Sequence, residues 1–300
     1  MRSLENAKYQ GRVRLGALLH TLGLYRSLLP IHQPQPTEFI RRLQSYLNHY
    51  YEHVDHAEAN LYLGALGLRF ACDIKDHMLW WHLQGLAPIY EQLEINHCIK
   101  QVRPRDHIVD VGANHGFWGF SLAYRAGEGA RLYLAEANPT IIRRLRRTAR
   151  MNPRIDARIL PFAVSDGSAD SLTFYLPADT LSGLGSTVLH EYAVEQGYLQ
   201  KNHQIVVPAK SLDSLVEDAT IEGIDMMKVD VEQGEDAVVR GALRALERYP
   251  PRMVMMETSI DGWASNALIE MGYATYRLDE TGCEKPVEPG FWGNIFFALK

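Results

Sequence analysis

Three apolar runs in this chain end in carboxylates, and a fourth leads into a glycine-rich bend. Leu132-Tyr-Leu-Ala ends at Glu136, Met226-Met-Lys-Val at Asp230, and Met253-Val-Met-Met at Glu257. In the fourth, Ile108, Val109 and Val111 surround Asp110 and pass into Gly112-Ala113-Asn114-His115-Gly116. A strand that ends in a glycine bend lets the main chain approach a ligand closely, and an acid closing the next strand is placed to hold ribose hydroxyls. The chemistry is that of a nucleoside site. The spacing is Gly-x-x-x-Gly rather than Gly-x-Gly-x-x-Gly, so the close pyrophosphate approach of dinucleotide sites is not written here. S-adenosylmethionine, a nucleoside without a pyrophosphate, fits better.

Strands of a parallel sheet are covered on both faces and read as continuous apolar runs, with ligands outside their carboxyl ends. The acids named above therefore gather along one edge. Lys228, Asp230 and Glu232 alternate with Val229 and Val231, and a period of two puts the three polar groups on one face. A lysine and an aspartate on an inner strand are costly to bury without a partner. A buried Lys228/Asp230 ion pair serving structure alone is the plainer alternative.

The elements that must position these groups alternate from His107 onward. Strands are expected near His107 to Val111, Leu132 to Ala135, Ala157 to Ala163, Asp225 to Val231, Arg252 to Thr258, Tyr273 to Leu278 and Asn294 to Leu299. Helices are expected from Phe117 to Arg125 and from Pro139, with proline in its first turn, to Met151. Such alternation calls for a doubly wound, Rossmann-like α/β sheet, mostly parallel. The first hundred residues read as helices: Leu15, Leu18, Leu19 and Leu22 follow helical spacing, and further helical stretches are expected from Thr37 to Tyr51 and within Asp76 to Asn96. The expected division is a helical region over residues 1–100 and a ligand-binding domain over residues 101–300.

Composition narrows the classes. Cys72, Cys98 and Cys283 are the only cysteines, which argues against a disulfide framework and for a reducing, cytoplasmic setting. No cysteine pair has metal-ligand spacing and neither thiol nor histidine pairs offer a metal cage, so no metal is expected, although Asp230, Glu232 and Glu257 together offer oxygens to a hard cation such as Mg²⁺. The formal charge of -5 argues against general nucleic-acid binding. The arginines 143, 144, 146, 147 and 150 share a helix with Ile141, Ile142, Leu145 and Ala149, and a solvated face accounts for them.

Asp110-Val-Gly-Ala-Asn-His-Gly116, Glu136-Ala-Asn138, Ala163-Val-Ser-Asp166, Ser211-Leu-Asp213 and Ile224-Asp-Met-Met-Lys-Val-Asp-Val-Glu-Gln-Gly-Glu235 together resemble the FkbM family of S-adenosylmethionine-dependent methyltransferases, from about Val102 to the C-terminus. The family's Asp-Val-Glu-Gly-x-Glu stands here as Asp230-Val-Glu-Gln-Gly-Glu235, either with Gln233 inserted before Gly234 or with the turn glycine replaced by Gln233 and Gly234 incidental. The resemblance implies a final strand that is antiparallel and inserted into the sheet. It also implies methylation of a hydroxyl on a sugar, glycolipid or secondary metabolite. The residues expected to meet the cofactor are Asp110, Gly112, Ala113, Asn114, Gly116, Glu136 at the ribose, Asn138, Ser165, Asp166 near the adenine, and Asp230. Asp230, Glu232 and the loop residue His190 are the candidates for chemistry, and Lys228, Ser186, Glu235 and Glu257 those for the acceptor. Two other classes stay open at this stage: a nicotinamide-dependent oxidoreductase, and a non-catalytic nucleoside-binding protein tethered by its N-terminal helices.

The apolar stripe Leu15, Leu18, Leu19 and Leu22 is bordered by Arg12, Arg14 and Arg26. That pattern suits a helix that lies on an anionic membrane or packs on a second copy, and equally one that docks on the protein's own domain. Deleting residues up to Leu29 should leave a well-behaved, ligand-binding protein in the first two cases and an aggregating one in the third. Sedimentation with anionic vesicles at low and high salt checks the membrane role, since basic residues near such a surface contribute about 1 kcal/mol each.

Overall fold

The computed structural model describes residues 57–63, 67–76, 91–177, 182–189 and 191–299, together with positions 12, 14–19, 42, 45, 46, 49, 50, 53 and 54. The chain divides into two compact units. One comprises Met1–Leu61, Ala71–Tyr90 and Asp179–Ser182, and the other Tyr62–Phe70, Glu91–Ala178 and Gly183–Lys300.

In the first unit, residues 14–19 are helical, as their spacing predicts. The segments 20–41 and 77–90, where more of the helical region is expected, lie outside the described residues. One part of the helical expectation is corrected. Residues Glu58–Leu63 (β1) and Leu68–Asp73 (β2) form a two-stranded sheet, and the Asp73 carboxylate accepts the Ala57 N–H at 2.8 Å. The alternating Glu58-Ala-Asn-Leu-Tyr-Leu63 carries this strand signal.

The larger unit is built on an eight-stranded sheet. Its strands are His107–Val111 (β3), Arg131–Ala135 (β4), Asp156–Leu160 (β5), Met226–Val229 (β9), Met253–Ser259 (β10), Tyr273–Leu278 (β11), Glu284–Lys285 (β12) and Trp292–Leu299 (β13), in the order β12-β11-β13-β10-β9-β3-β4-β5. Strands β5, β4, β3, β9 and β10 run parallel. Strand β13 lies antiparallel between β10 and β11, as the family resemblance implies. The sequence reading merged two elements: the expected strand 157–163 breaks after Leu160, and Ala163–Val164 (β6) joins a separate three-stranded sheet with Ser171–Pro177 (β7) and Leu199–Lys210 (β8), which that reading missed. Long exposed stretches and polar residues in β8 hide its strand character.

Alternation along the strands assigns two faces. Val109, Val111, Met227, Val229, Val254 and Met256 join Leu215 of helix Leu212–Glu217 (α5), Val238 of Glu235–Arg240 (α6), Leu246 of Leu243–Arg248 (α7) and Leu268 of Trp263–Glu270 (α8) in one core. The opposite face is covered by Gln92–Cys98 (α1) and Phe117–Ala126 (α2). Cys98 of α1 meets Met253 there at 3.8 Å, and the α2 residue Gly119 gives its N–H to Asp110 at 3.1 Å. Helix Pro139–Met151 (α3) begins where the sequence places it, with proline in its first turn and the Asn138 side chain accepting the Thr140 N–H at 3.0 Å.

The bend after β9 carries a strain that the sequence announces. Glu232 and Gln233 have φ of 56° and 74°, in the left-handed region where a Cβ crowds the following carbonyl. Gln233 stands where the family's glycine would relieve that crowding. Replacing Gln233 with Gly is expected to raise stability by about 1 kcal/mol, the relief of strain exceeding glycine's extra chain entropy. Urea denaturation of the two proteins checks this, and an unchanged or lowered midpoint would show that the turn is not strained at that residue.

Candidate functional site

The polar residues of β3, β9 and β10 meet on the face covered by α1 and α2. Asp110 and Lys228 are register partners on β3 and β9, Lys228 and Met255 on β9 and β10, and Glu257 and Asn294 on β10 and β13. A period of two along each strand therefore aligns Asp110, Lys228, Asp230, Glu257 and Asn294 at the carboxyl edge of the parallel strands. The expected gathering of acids is present. Lys228 Nζ lies 3.1 Å from Asp230 Oδ2 and 2.6 Å from Glu91 Oε2, with the lysine and Glu91 side chains 7% and 6% exposed.

Glu91 is a residue that sequence reasoning missed. A single acid immediately before a helix reads as an ordinary first-turn charge. Its side chain makes no cap bond to α1, although Glu91 occupies the cap position with φ 54°. Asn294 was missed too, and its signal was a polar residue within the apolar run of β13.

The glycine bend is shaped by main chain as much as by ligand space. Gly112, Asn114 and Gly116 have φ of 77°, 47° and 78°. A Cβ on Gly112 would run into the carbonyl oxygen of Asp230. The absence of a side chain there is what lets the β3 bend touch the end of β9. Glu136, expected at a ribose, braces this bend. Its Oε2 accepts the Asn114 N–H at 2.9 Å, and its Oε1 accepts the N–H groups of Ala137 and Asn138 at 2.8 and 2.7 Å. The Ala113 N–H goes to the Ala135 carbonyl at 3.0 Å. Each carboxylate oxygen has two lone pairs, so Glu136 Oε2 keeps acceptor capacity beyond the Asn114 N–H.

Several expected contacts are spent inside the protein. Asn138 uses its side-chain oxygen as the α3 cap. Ser186, placed with the acceptor by the sequence, is completely buried; its hydroxyl donates to the Glu232 carbonyl at 2.6 Å and accepts the Val188 N–H at 2.9 Å. It ties the 182–189 segment to the bend after β9. Glu235 Oε1 accepts the Val231 N–H at 3.1 Å and closes that bend from the other side. Asp166 is exposed and holds the Ser168 N–H at 2.9 Å in a turn through Gly167. The neighbouring Ser165 is buried, and its hydroxyl has no hydrogen-bond partner among the described residues. His190 lies outside the described residues.

Burial dominates the electrostatics. It pushes Asp110 up to about 6, with Asp230 and Glu136 adding repulsion while Lys228 and the Gly119 N–H oppose it. Burial pushes Glu232 up to about 8, reinforced by Asp230 and Glu235, and Glu235 up to about 7. Burial and then the charges of Asp230 and Glu232 also raise Glu257. Oxygens of Asp230, Glu232 and Glu257 lie within 4.8 Å of one another, a spacing that a hard cation could bridge.

Residues 110–277 match the family model described as the methyltransferase FkbM domain, which is more than half of the chain. The chain belongs to the FkbM methyltransferase family. No curated protein matches it. Among solved structures, a methyltransferase FkbM from Methylobacillus flagellatus is 16% identical, with 74% of this chain and 52% of that chain covered and a TM-score of 0.39. The present chain thus spans about half the length of that relative. A putative O-methyltransferase from Klebsiella pneumoniae is 11% identical over 71% of this chain and 80% of that one, with a TM-score of 0.38. A SAM-dependent O-methyltransferase from Thermotoga maritima is 12% identical over 71% and 66%, also with a TM-score of 0.38. Among the described residues no helix is long and apolar enough to cross a membrane.

The raised Glu232 carboxyl has a consequence for stability. Its proton is held up to about pH 8 in the folded protein and lost near 4.5 when unfolded, so between those values the native state binds more protons than the unfolded chain. Stability should therefore fall as pH rises through this window, and Glu232→Gln should flatten the slope. Urea midpoints at about pH 5 and about pH 8.5 check the sign. An identical pH dependence in the variant would place the carboxyl in water.

Proposed function

We propose that this protein is an S-adenosylmethionine-dependent methyltransferase acting on a hydroxyl of a sugar, glycolipid or secondary metabolite in the cytoplasm. The observation that carries the reading is the FkbM family match over residues 110–277, which spans the glycine bend, Glu136 and the carboxylates after β9. The buried polar atoms suit the cofactor. Glu136 keeps acceptor capacity for ribose hydroxyls, and the unpartnered Ser165 hydroxyl lies beside Asp166 on the side assigned to the adenine. The free thiols of Cys98 and Cys283 agree with a reducing compartment.

When bound, the cofactor supplies a methyl group on a cationic sulfur. The protein's part is to hold an acceptor oxygen in line with that methyl and to take its proton. Asp230 and Glu232 stand at the strand end for this work. Glu232 suits the base because a carboxyl raised to about 8 both holds and releases a proton near neutral pH. Lys228 keeps Asp230 paired, and Glu257 borders the acceptor side. A small-molecule or glycan acceptor is part of this reading, as is contact of the N-terminal residues with a membrane or a second copy.

Calorimetry should show binding of S-adenosylmethionine and S-adenosylhomocysteine and none of NAD. Glu136→Ala should weaken binding by about 1.5 to 3 kcal/mol, through the ribose bonds and the loosened bend together. Across a panel of hydroxylated acceptors, Glu232→Gln should lower turnover by about 10²-fold or more with cofactor affinity nearly unchanged. Activity should survive EDTA. Restoration by Mg²⁺ of an activity that EDTA abolishes would assign the Asp230, Glu232 and Glu257 trio to a metal instead, and binding without release of S-adenosylhomocysteine would make the protein a non-catalytic binder.

A further inference from the structure

Glu91 lies outside the stretch matched by the family model, yet its side chain is only 6% exposed. Three observations set it apart. Its backbone is left-handed, which disfavours a residue with a Cβ, and such strain persists where the surroundings demand a particular side-chain placement. Its carboxylate does not cap α1, whereas Asn138 and Ser211 at the same position cap α3 and α5. One oxygen is satisfied by Lys228, and the other, Oε1, has no hydrogen-bond partner among the described residues.

Asp110 has the same half-satisfied state. Its Oδ2 accepts the Gly119 N–H, and its buried Oδ1 has no partner among the described residues. Both carboxylates interact with Lys228, and Glu91 also feels the charge of Asp110. Leaving a buried acceptor unmade is costly, so two such oxygens on one face call for a donor that the described residues do not provide. Among the described residues the face holds one ammonium, that of Lys228, against Glu91, Asp110 and Asp230, and a cationic donor complements it. Neither Glu91 nor Asp110 belongs to the trio whose oxygens converge as for a metal ion. An ammonium with three N–H groups satisfies separate carboxylates without needing such convergence.

We propose that Glu91, together with Asp110, binds the α-ammonium group of the cofactor's amino-acid end, with Lys228 holding the Glu91 carboxylate in place. The assignment rests on the S-adenosylmethionine reading of the site and adds to it a binding residue from the segment before β3. Asp110, at the entrance to the glycine bend, faces the same ammonium from the sheet, while Glu91 approaches from the helix side.

Three ligands separate this assignment from a scaffolding role: S-adenosylhomocysteine, its analogue lacking only the α-amino group, and 5′-methylthioadenosine, which lacks the whole amino-acid end. The wild-type protein should bind S-adenosylhomocysteine at least about 10-fold more tightly than the deamino analogue, the scale of a charge-assisted hydrogen bond. Glu91→Gln should shrink that preference to about 2-fold, leaving 5′-methylthioadenosine binding unchanged as an internal check of folding. Asp110→Asn should act in the same direction. Three results would overturn the assignment: no discrimination by the wild type, discrimination that survives Glu91→Gln, or equal weakening of all three ligands, the last marking Glu91 as a structural partner of Lys228. A wild type that binds none of the three overturns the cofactor reading itself, and this assignment with it.

Discussion

Among the described residues, Lys228 Nζ is the one ammonium set against five carboxylates at the carboxyl edge of the sheet, paired with Glu91 and Asp230 and acting at longer range on Asp110, Glu232 and Glu257. Removing an ammonium and a carboxylate from water costs several kcal/mol per ion, and mutual attraction offsets this only with good geometry. The geometry here is imposed by elements far apart in sequence. Strand register puts Lys228 beside Asp110, the two-residue repeat of β9 puts it on the side of Asp230, and α1 brings Glu91 onto it. Placing α1 is therefore part of making the site: Ile95 and Cys98 are fully buried, and the His97 ring lies 5.2 Å from that of Phe296.

The two loops of the site are constrained together. Because a Cβ at Gly112 has no room beside the Asp230 carbonyl, the bend after β3 and the bend after β9 cannot move independently. Glu136 ties the first bend to β4 through Asn114, and Ser186 and Glu235 tie the second through Glu232 and Val231. Carboxylates that look like ligands in the sequence thus divide their valences. One part holds the backbone in conformations with positive φ, and the rest stays available to a ligand. A rigid cradle of this kind suits methyl transfer, where positioning supplies much of the rate.

The parallel strands were legible because residues buried on both faces leave continuous apolar runs, and β11 and the start of α3 fall where Tyr273 and Pro139 place them. The acids at strand ends were legible for the same reason, since a charge closing such a run has one edge to occupy. What was not legible depended on tertiary context. The strands β7 and β8 expose much of their length, so their pattern is polar; Val206 is 75% exposed. Ser186 looked like an acceptor contact in a small-residue loop, and only the fold shows its hydroxyl turned to the Glu232 carbonyl. Glu91 was hidden because nothing local distinguishes an acid that starts a helix from one that crosses to a strand well over a hundred residues later.

The carboxylates also fix how the site can respond to a ligand. Burial raises Asp110, Glu232, Glu235 and Glu257 above the ordinary carboxylate range, so part of their charge is held off by protons near neutral pH. A cation entering the cleft stabilises the ionised forms, and the protons must leave as it binds. A neutral ligand of the same shape lacks this coupling.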